Sequence, residues 1–249
     1  MRLDVAFTPA DLAPGDATGR TVVVVDILRF TTTACAALQA GARAVVPAAS
    51  TEEALQLART LGPENVLLGG ERGGRKIEGF ALGNSPLEMT PPAVGGKLLV
   101  MTTTNGTRAL LAVQGAQTVY LGAAANFTAL GARLRAGLEA RGDLLIVCSG
   151  REGLFALDDA YCAGRLVEAA LGGRRRWRGL NDAATAALDL VRRYGARWER
   201  PLTTSASGQA LKAIDHGHDV AHCALPDTAP VIPLYAERRV RIAPALEAA

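Results

Sequence analysis

Apolar runs of strand length alternate along this chain with longer Ala- and Leu-rich stretches of helical period. That alternation is the pattern of an α/β protein whose mainly parallel sheet is covered by helices. The spacing predicts strands over Leu3–Phe7, Thr21–Asp26, Ala44–Pro47, Val66–Gly69, Leu98–Met101, Thr118–Leu121 and Leu144–Cys148. Between them it predicts helices over Thr32–Ala40, Thr51–Leu61, Thr107–Val113, Phe127–Ala140 and Leu157–Leu171. Glu52 and Glu53 mark the start of the second of these, where acids complement the helix dipole. The last third carries weaker signals, with helices over Asn181–Tyr194 and Ser207–Ile214 and late strands over Val220–Ala224 and Val231–Tyr235. The basic run Arg174–Arg178, with Trp177 inside it, reads as a solvated turn between helices. The Ala-rich final residues read as a frayed end.

Composition narrows the function classes. At 249 residues, 49% hydrophobic and 20% charged, the chain can bury a full core, and one domain over residues 1–249 is the expectation. A formal charge of +3, with 27 basic against 24 acidic residues spread along the chain, is no nucleic-acid footprint. No stretch approaches the ~18 apolar residues of a membrane span and the N-terminus lacks a signal-peptide run, so a cytoplasmic address without membrane partners is expected. Cys35, Cys148, Cys162 and Cys223 form no C-x-x-C pair, and read as small buried hydrophobes. Oligomeric state is not written in the pattern, although a homodimer formed through an apolar helix face would be ordinary for a chain of this size.

Polar residues gather just after the predicted strands, and in open parallel sheets that carboxyl edge is where ligands bind. The Val22–Val25 run ends in Asp26, with Arg29 and Thr31–Thr33 close behind. Val66–Gly69 leads into Gly70-Glu71-Arg72-Gly73-Gly74-Arg75-Lys76 and on to Asn84-Ser85-Pro86, a stretch whose glycines and charges predict a mobile, ligand-touching loop rather than a strand. Thr102, Thr103, Thr104, Asn105, Gly106 and Thr107 follow the fifth strand, where backbone N–H groups at a helix start can cradle a phosphate; the same residue types also serve as plain caps. The last strand end reads Cys148-Ser149-Gly150-Arg151-Glu152, with Asp158 and Asp159 at the next helix start. Arg151 can fork onto a phosphate or carboxylate, while the paired acids can ligate a hard cation or simply oppose the helix dipole.

Several familiar chemistries are excluded. A cysteine phosphatase loop needs Cys, five residues, then Arg, but the position that should hold Arg after Cys148 is Leu154. No G-x-x-x-x-G-K-S/T string exists, which removes a nucleotide P-loop. His216, His218 and His222 lie together without a cysteine or carboxylate pattern that completes a zinc set, and read as a polar turn near Asp215 and Asp219. A haloacid-dehalogenase-type phosphatase would carry a second aspartate two positions after Asp26, where this chain has Leu28.

Five strings, VDILRFTTT, GERGGRKIEGFALGNSP, TTTNGT, CSGREGLFALDD and SASGQALKAIDHGHD, occur in that order. Together they resemble the signature of the 2-phosphosulfolactate phosphatase (ComB) family from about Asp26 to the late strands. The resemblance implies a three-layer α/β/α fold with a mainly parallel, mixed sheet. It also implies a magnesium-dependent hydrolase that converts 2-phospho-3-sulfolactate to sulfolactate and phosphate in coenzyme M biosynthesis. Carried over by position, it puts Asp26, Arg29, Glu71, Arg72, Lys76, Asn84, Ser85, Thr103, Asn105, Arg151, Asp158 and Ser207 in the site.

Combined with the strand-end pattern, these residues give a specific expectation. Asp26 and Glu71, assisted by Asp158, hold Mg2+, while Arg29, Arg72, Lys76 and Arg151 supply positive charge to a small anionic phosphate ester. The Thr102–Thr107 turn, Ser149, Gly150 and Ser207 complete the phosphate contacts. Asp26 either attacks phosphorus or positions metal and water. A non-catalytic binder of small anionic metabolites, or a hydrolase of another ester, would keep the same arginines.

Overall fold

The computed structural model describes residues 2–140, 142–173 and 179–245; the predicted turn at 174–178 and the last four residues lie outside them. In chain order the elements are β1 (Leu3–Ala6), β2 (Thr21–Val25), α1 (Phe30–Gln39), β3 (Ala44–Pro47), α2 (Thr51–Leu61), β4 (Val66–Arg72), β5 (Arg75–Lys76), α3 (Pro91–Val94), β6 (Leu98–Thr102) and α4 (Gly106–Ala112). There follow β7 (Thr118–Gly122), α5 (Phe127–Glu139), β8 (Leu144–Cys148), α6 (Leu157–Leu171), α7 (Asp182–Tyr194), α8 (Glu199–Thr204), α9 (Ala206–Lys212), α10 (Gly217–Cys223), β9 (Pro233–Ala236) and β10 (Arg239–Ile242).

The described strands form one 10-stranded mixed sheet in the order β1-β8-β2-β7-β9-β10-β3-β6-β4-β5. Two parallel blocks, β1-β8-β2-β7 and β3-β6-β4, are joined by the antiparallel hairpin β9–β10. Its two-residue turn, Glu237 and Arg238, has φ of 50° and 57°, the backbone that a tight hairpin with native strand twist requires. Each of the three junctions from β7 to β3 is antiparallel, so the blocks run in opposite senses. The carboxyl ends of β2 and β4 nonetheless line one cavity. A flat sheet would put them at opposite edges, so accumulated twist has curled this one round.

Alternation along the strands shows what the curl encloses. Val22 and Val24 of β2 pack with Leu99 and Met101 of β6 around Phe30, Ala34 and Leu110, so α1 and α4 fill the inner face. Val23 and Val25 point the other way, into Leu130, Leu134, Tyr161 and Leu166 of α5 and α6. Val46 and Val100 meet Ala54 of α2 on the outer face of the second block. Helices therefore cover both faces, the three-layer α/β/α arrangement expected. β2 is buried on both sides, and each of its valines contributes about 1.5–3 kcal/mol of burial.

Two sequence expectations are corrected, and some elements went unpredicted. The stretch after Gly69 is not a loop throughout: β4 continues to Arg72 and turns back as β5, pairing Glu71 with Lys76. Gly70, at φ +151°, sits where a Cβ would lie 2.2 Å from the Thr102 carbonyl oxygen, so this glycine marks close strand approach rather than a chain break. Where a strand was expected over Val220–Ala224, Val220–Cys223 is helical and closes α10 with Ala224 as its cap, burying Asp219, Val220 and Cys223; a short apolar run cannot be told from a helix by pattern alone. β10 went unpredicted because Arg239 and Arg241 dilute its apolar signal, and α8 because its sequence carries little periodicity. Among the described residues no helix is long and apolar enough to cross a membrane.

Candidate active site

A cavity of about 130 Å³ opens where β2, β4, β6 and β8 end and α9 passes over them. Of the residues singled out from sequence, Asp26, Arg29, Glu71, Asn84, Thr104, Asn105, Arg151 and Ser207 line it. Leu28, Leu211 and Ile214 give it an apolar wall.

Glu71 is pinned by donors. Its Oε1 accepts from the Thr104 N–H at 2.7 Å, and its Oε2 from the Gly74 N–H at 2.7 Å and the Thr104 hydroxyl at 3.2 Å. Asp26 is buried at the end of β2, and burial, with the charges of Glu71 and Asp158 added, pushes its carboxyl up to about 7 against a restraining backbone N–H from Phe30. Burial likewise pushes Asp158 up to about 6, although its own backbone N–H and the Ser207 hydroxyl pull the other way. Both aspartates are thus held in places that disfavour their negative charge.

The neighbouring cations are tied down. Arg29 is itself buried, donating to Asp219 Oδ2 at 2.5 Å and to the Gly74 carbonyl at 2.5 Å. Arg151 donates to the Ala206 carbonyl at 2.8 Å and keeps its side chain 34% exposed. Asn84 is buried with its Oδ1 unpartnered among the described residues, as is Asp158 Oδ1.

The remaining sequence-selected residues stand behind or beside the cavity. Thr102 accepts from Arg72 Nη2 at 3.0 Å. Thr103 and Thr107 bond each other, Oγ1 of the first accepting the Thr107 N–H at 3.2 Å. Two amides of the expected cradle, those of Thr104 and Thr107, are therefore already committed within the protein. Lys76 and Arg72 are exposed on the β4–β5 hairpin. Ser85 is buried and donates to Asp219, while Ser149 and Gly150 donate to Asp159 at 2.9 and 3.1 Å. Gly106 packs directly on Asp26: a Cβ there would lie 2.5 Å from Asp26 Oδ2 and 2.5 Å from the Phe30 ring. Gly106→Ala is therefore expected to displace the carboxylate and cut activity by about tenfold or more, which steady-state assays beside an unchanged far-UV spectrum would check.

Two buried aspartates were not among the residues the sequence placed in the site. Asp159 straps the first block together, accepting from the Ile27 N–H at 3.0 Å as well as from Ser149 and Gly150, with its pKa driven well up by burial and by Asp158 and Asp26. Asp219 receives Arg29 and Ser85. The DD pair was legible as a helix start, but only folding shows Asp159 turned inward. Asp219 had no signal beyond its place among the histidines.

The sequence profile described as 2-phosphosulpholactate phosphatase matches residues 6–238. The chain belongs to that family. In this member the matched region holds every residue of the cavity. A protein of Symbiobacterium thermophilum named probable 2-phosphosulfolactate phosphatase is 42% identical over 222 residues, covering 89% of this chain and 94% of that one. Proteins with the same name from Picosynechococcus sp. and Gloeothece citriformis are each 38% identical, covering 95% and 97% of this chain and 96% and 99% of their own.

The acids of this family member suit a hard divalent cation. Asp26, Glu71 and Asp158 offer oxygen, and the unpartnered Asp158 Oδ1 and Asn84 Oδ1 are acceptors that a cation or its bound water would complete. Among the described residues, the three acids do not form a tight group; the one trio of ligand-type side chains with atoms all within 4.8 Å of one another is His216, His218 and Asp219. Magnesium, which keeps several waters and takes further ligands from substrate phosphate, would need only one or two of these carboxylates.

Proposed function

We propose that this chain is a magnesium-dependent phosphatase that hydrolyses 2-phospho-3-sulfolactate to sulfolactate and phosphate, the reaction that serves coenzyme M biosynthesis. The observation that carries the reading is that Asp26, Glu71, Arg29 and Arg151 line one small cavity, with Asp158 close enough behind it for its charge to act on Asp26. The relatives' name supports the choice of substrate.

Asp26 and Glu71 would hold the ion, with Asp158 behind them. Bound magnesium supplies Lewis-acid charge for the phosphoryl oxygens and offsets the repulsion among the acids. The chain does the rest. Glu71, braced by Thr104 and Gly74, stays in one orientation through turnover. Arg29 and Arg151 bind the substrate's anionic groups, a phosphate, a carboxylate and a sulfonate, and hold the ester against Asp26. Leu28, Leu211 and Ile214 exclude water from one side, which strengthens each charge interaction inside.

The test is phosphate release from phosphosulfolactate, phospholactate and phosphoglycolate, with magnesium or with chelator. Release is expected only with magnesium and fastest from phosphosulfolactate. No release from any ester would leave a binding protein, and release unaffected by chelator would remove the metal from the scheme.

A further inference from the structure

Arg29 is the more deeply buried of the two cavity cations, and a buried guanidinium is tolerated only with a partner. Its partner is Asp219 of α10, whose side chain has no exposed surface. Arg29 Nη1 meets Asp219 Oδ2 at 2.5 Å, and the Ser85 hydroxyl donates to Oδ1 at 2.5 Å. Two imidazoles close around the same carboxylate, with His216 Nδ1 3.2 Å from Oδ2 and His218 Nε2 3.6 Å from Oδ1. One acid therefore ties together three segments remote in sequence: the end of β2, the strap before α3, and α10.

The trio of His216, His218 and Asp219 has ligand-like spacing. However, Arg29 and Ser85 already occupy both oxygens, and a guanidinium at that distance repels a cation. The grouping is centred on an anion. Asp219 does not line the cavity, whereas Arg29 does.

We propose that Asp219 is the positioning residue for Arg29: with Ser85 behind it, it fixes the guanidinium at the cavity so that the cation meets the substrate's anionic group without reorganising. The Gly74 carbonyl holds the other end of the fork. Asp219 touches neither substrate nor metal, and acts only through Arg29. Turnover enters this proposal only as one readout, and the use of that readout rests on the phosphatase reading.

A double-mutant cycle tests it, read by phosphate-ester turnover and by calorimetric binding of inorganic phosphate. Asp219→Asn keeps the shape and loses the charge. It is expected to lower kcat/KM by about 50-fold and to weaken phosphate binding in parallel. In an Arg29→Ala background the same change is expected to alter both by less than about twofold, because the group it serves has gone. Wild-type behaviour of Asp219→Asn, or its full effect persisting without Arg29, would overturn the proposal. Should Asp219→Asn fail to fold, Ser85→Ala carries the same cycle, with a smaller loss that must also vanish without Arg29. A wild-type protein that binds phosphate but turns over no ester would sink the phosphatase reading alone. In that case the binding arm still decides the role of Asp219.

Discussion

Replacing Asp26 with asparagine is expected to slow phosphate release by roughly three orders of magnitude while making the metal-free protein more stable. Both effects have one cause. Asp26 lies at the end of a fully enclosed strand, under the first residue of α4, and burial together with Glu71 and Asp158 disfavours its charge. The amide fits the same space and removes that charge, so the folded state gains. On the proposed mechanism the reaction loses the carboxylate that would hold the ion or attack phosphorus. The pairing of a collapsed rate with a raised Tm separates this outcome from simple misfolding. A variant that keeps more than about a tenth of the wild-type rate would exclude Asp26 from the chemistry.

Stability in the absence of metal should fall as pH rises from 5 to 8, and magnesium should restore it mainly at the upper end. In the unfolded chain an aspartate ionises near 3.8, whereas Asp26 in the fold does so at about 7 and Asp158 at about 6. Between those limits the folded protein binds the extra protons. Its advantage is greatest below pH 3.8 and is lost as pH rises through 6 and 7. Shifts of this size correspond to a drop in Tm of roughly 10 °C across the window for a chain of this length. A divalent ion held as proposed would bind the ionised acids, so magnesium should raise Tm strongly at pH 8 and little at pH 5. Thermal melts with chelator or magnesium at both pH values provide the check. A chelated protein that melts higher at pH 8 than at pH 5 would contradict the acid cluster, and equal magnesium stabilisation at both would detach the ion from it.

The sequence determined most elements of the first two thirds to within a residue or two, because runs such as Val22–Val25 and the Ala-rich helices carry strong periods and clean ends, but not the β4–β5 hairpin or α3. It also determined that Asp26, Glu71 and Arg151 stand at strand ends, since the change from apolar to polar there needs no neighbour to be visible. The tertiary structure decided what those residues face. Only the curl of the sheet brings the ends of two oppositely directed blocks to one cavity, and pairing direction is a property of contacts that no local pattern encodes. Only packing shows that Thr103 and Thr107 brace each other, or that Asp219, expected from sequence beside a polar turn, sits instead in α10, completely buried as the counter-charge of an arginine 190 positions away. Burial and ion pairing are set by what arrives from elsewhere in the chain, so their energies become fixed once the fold has closed.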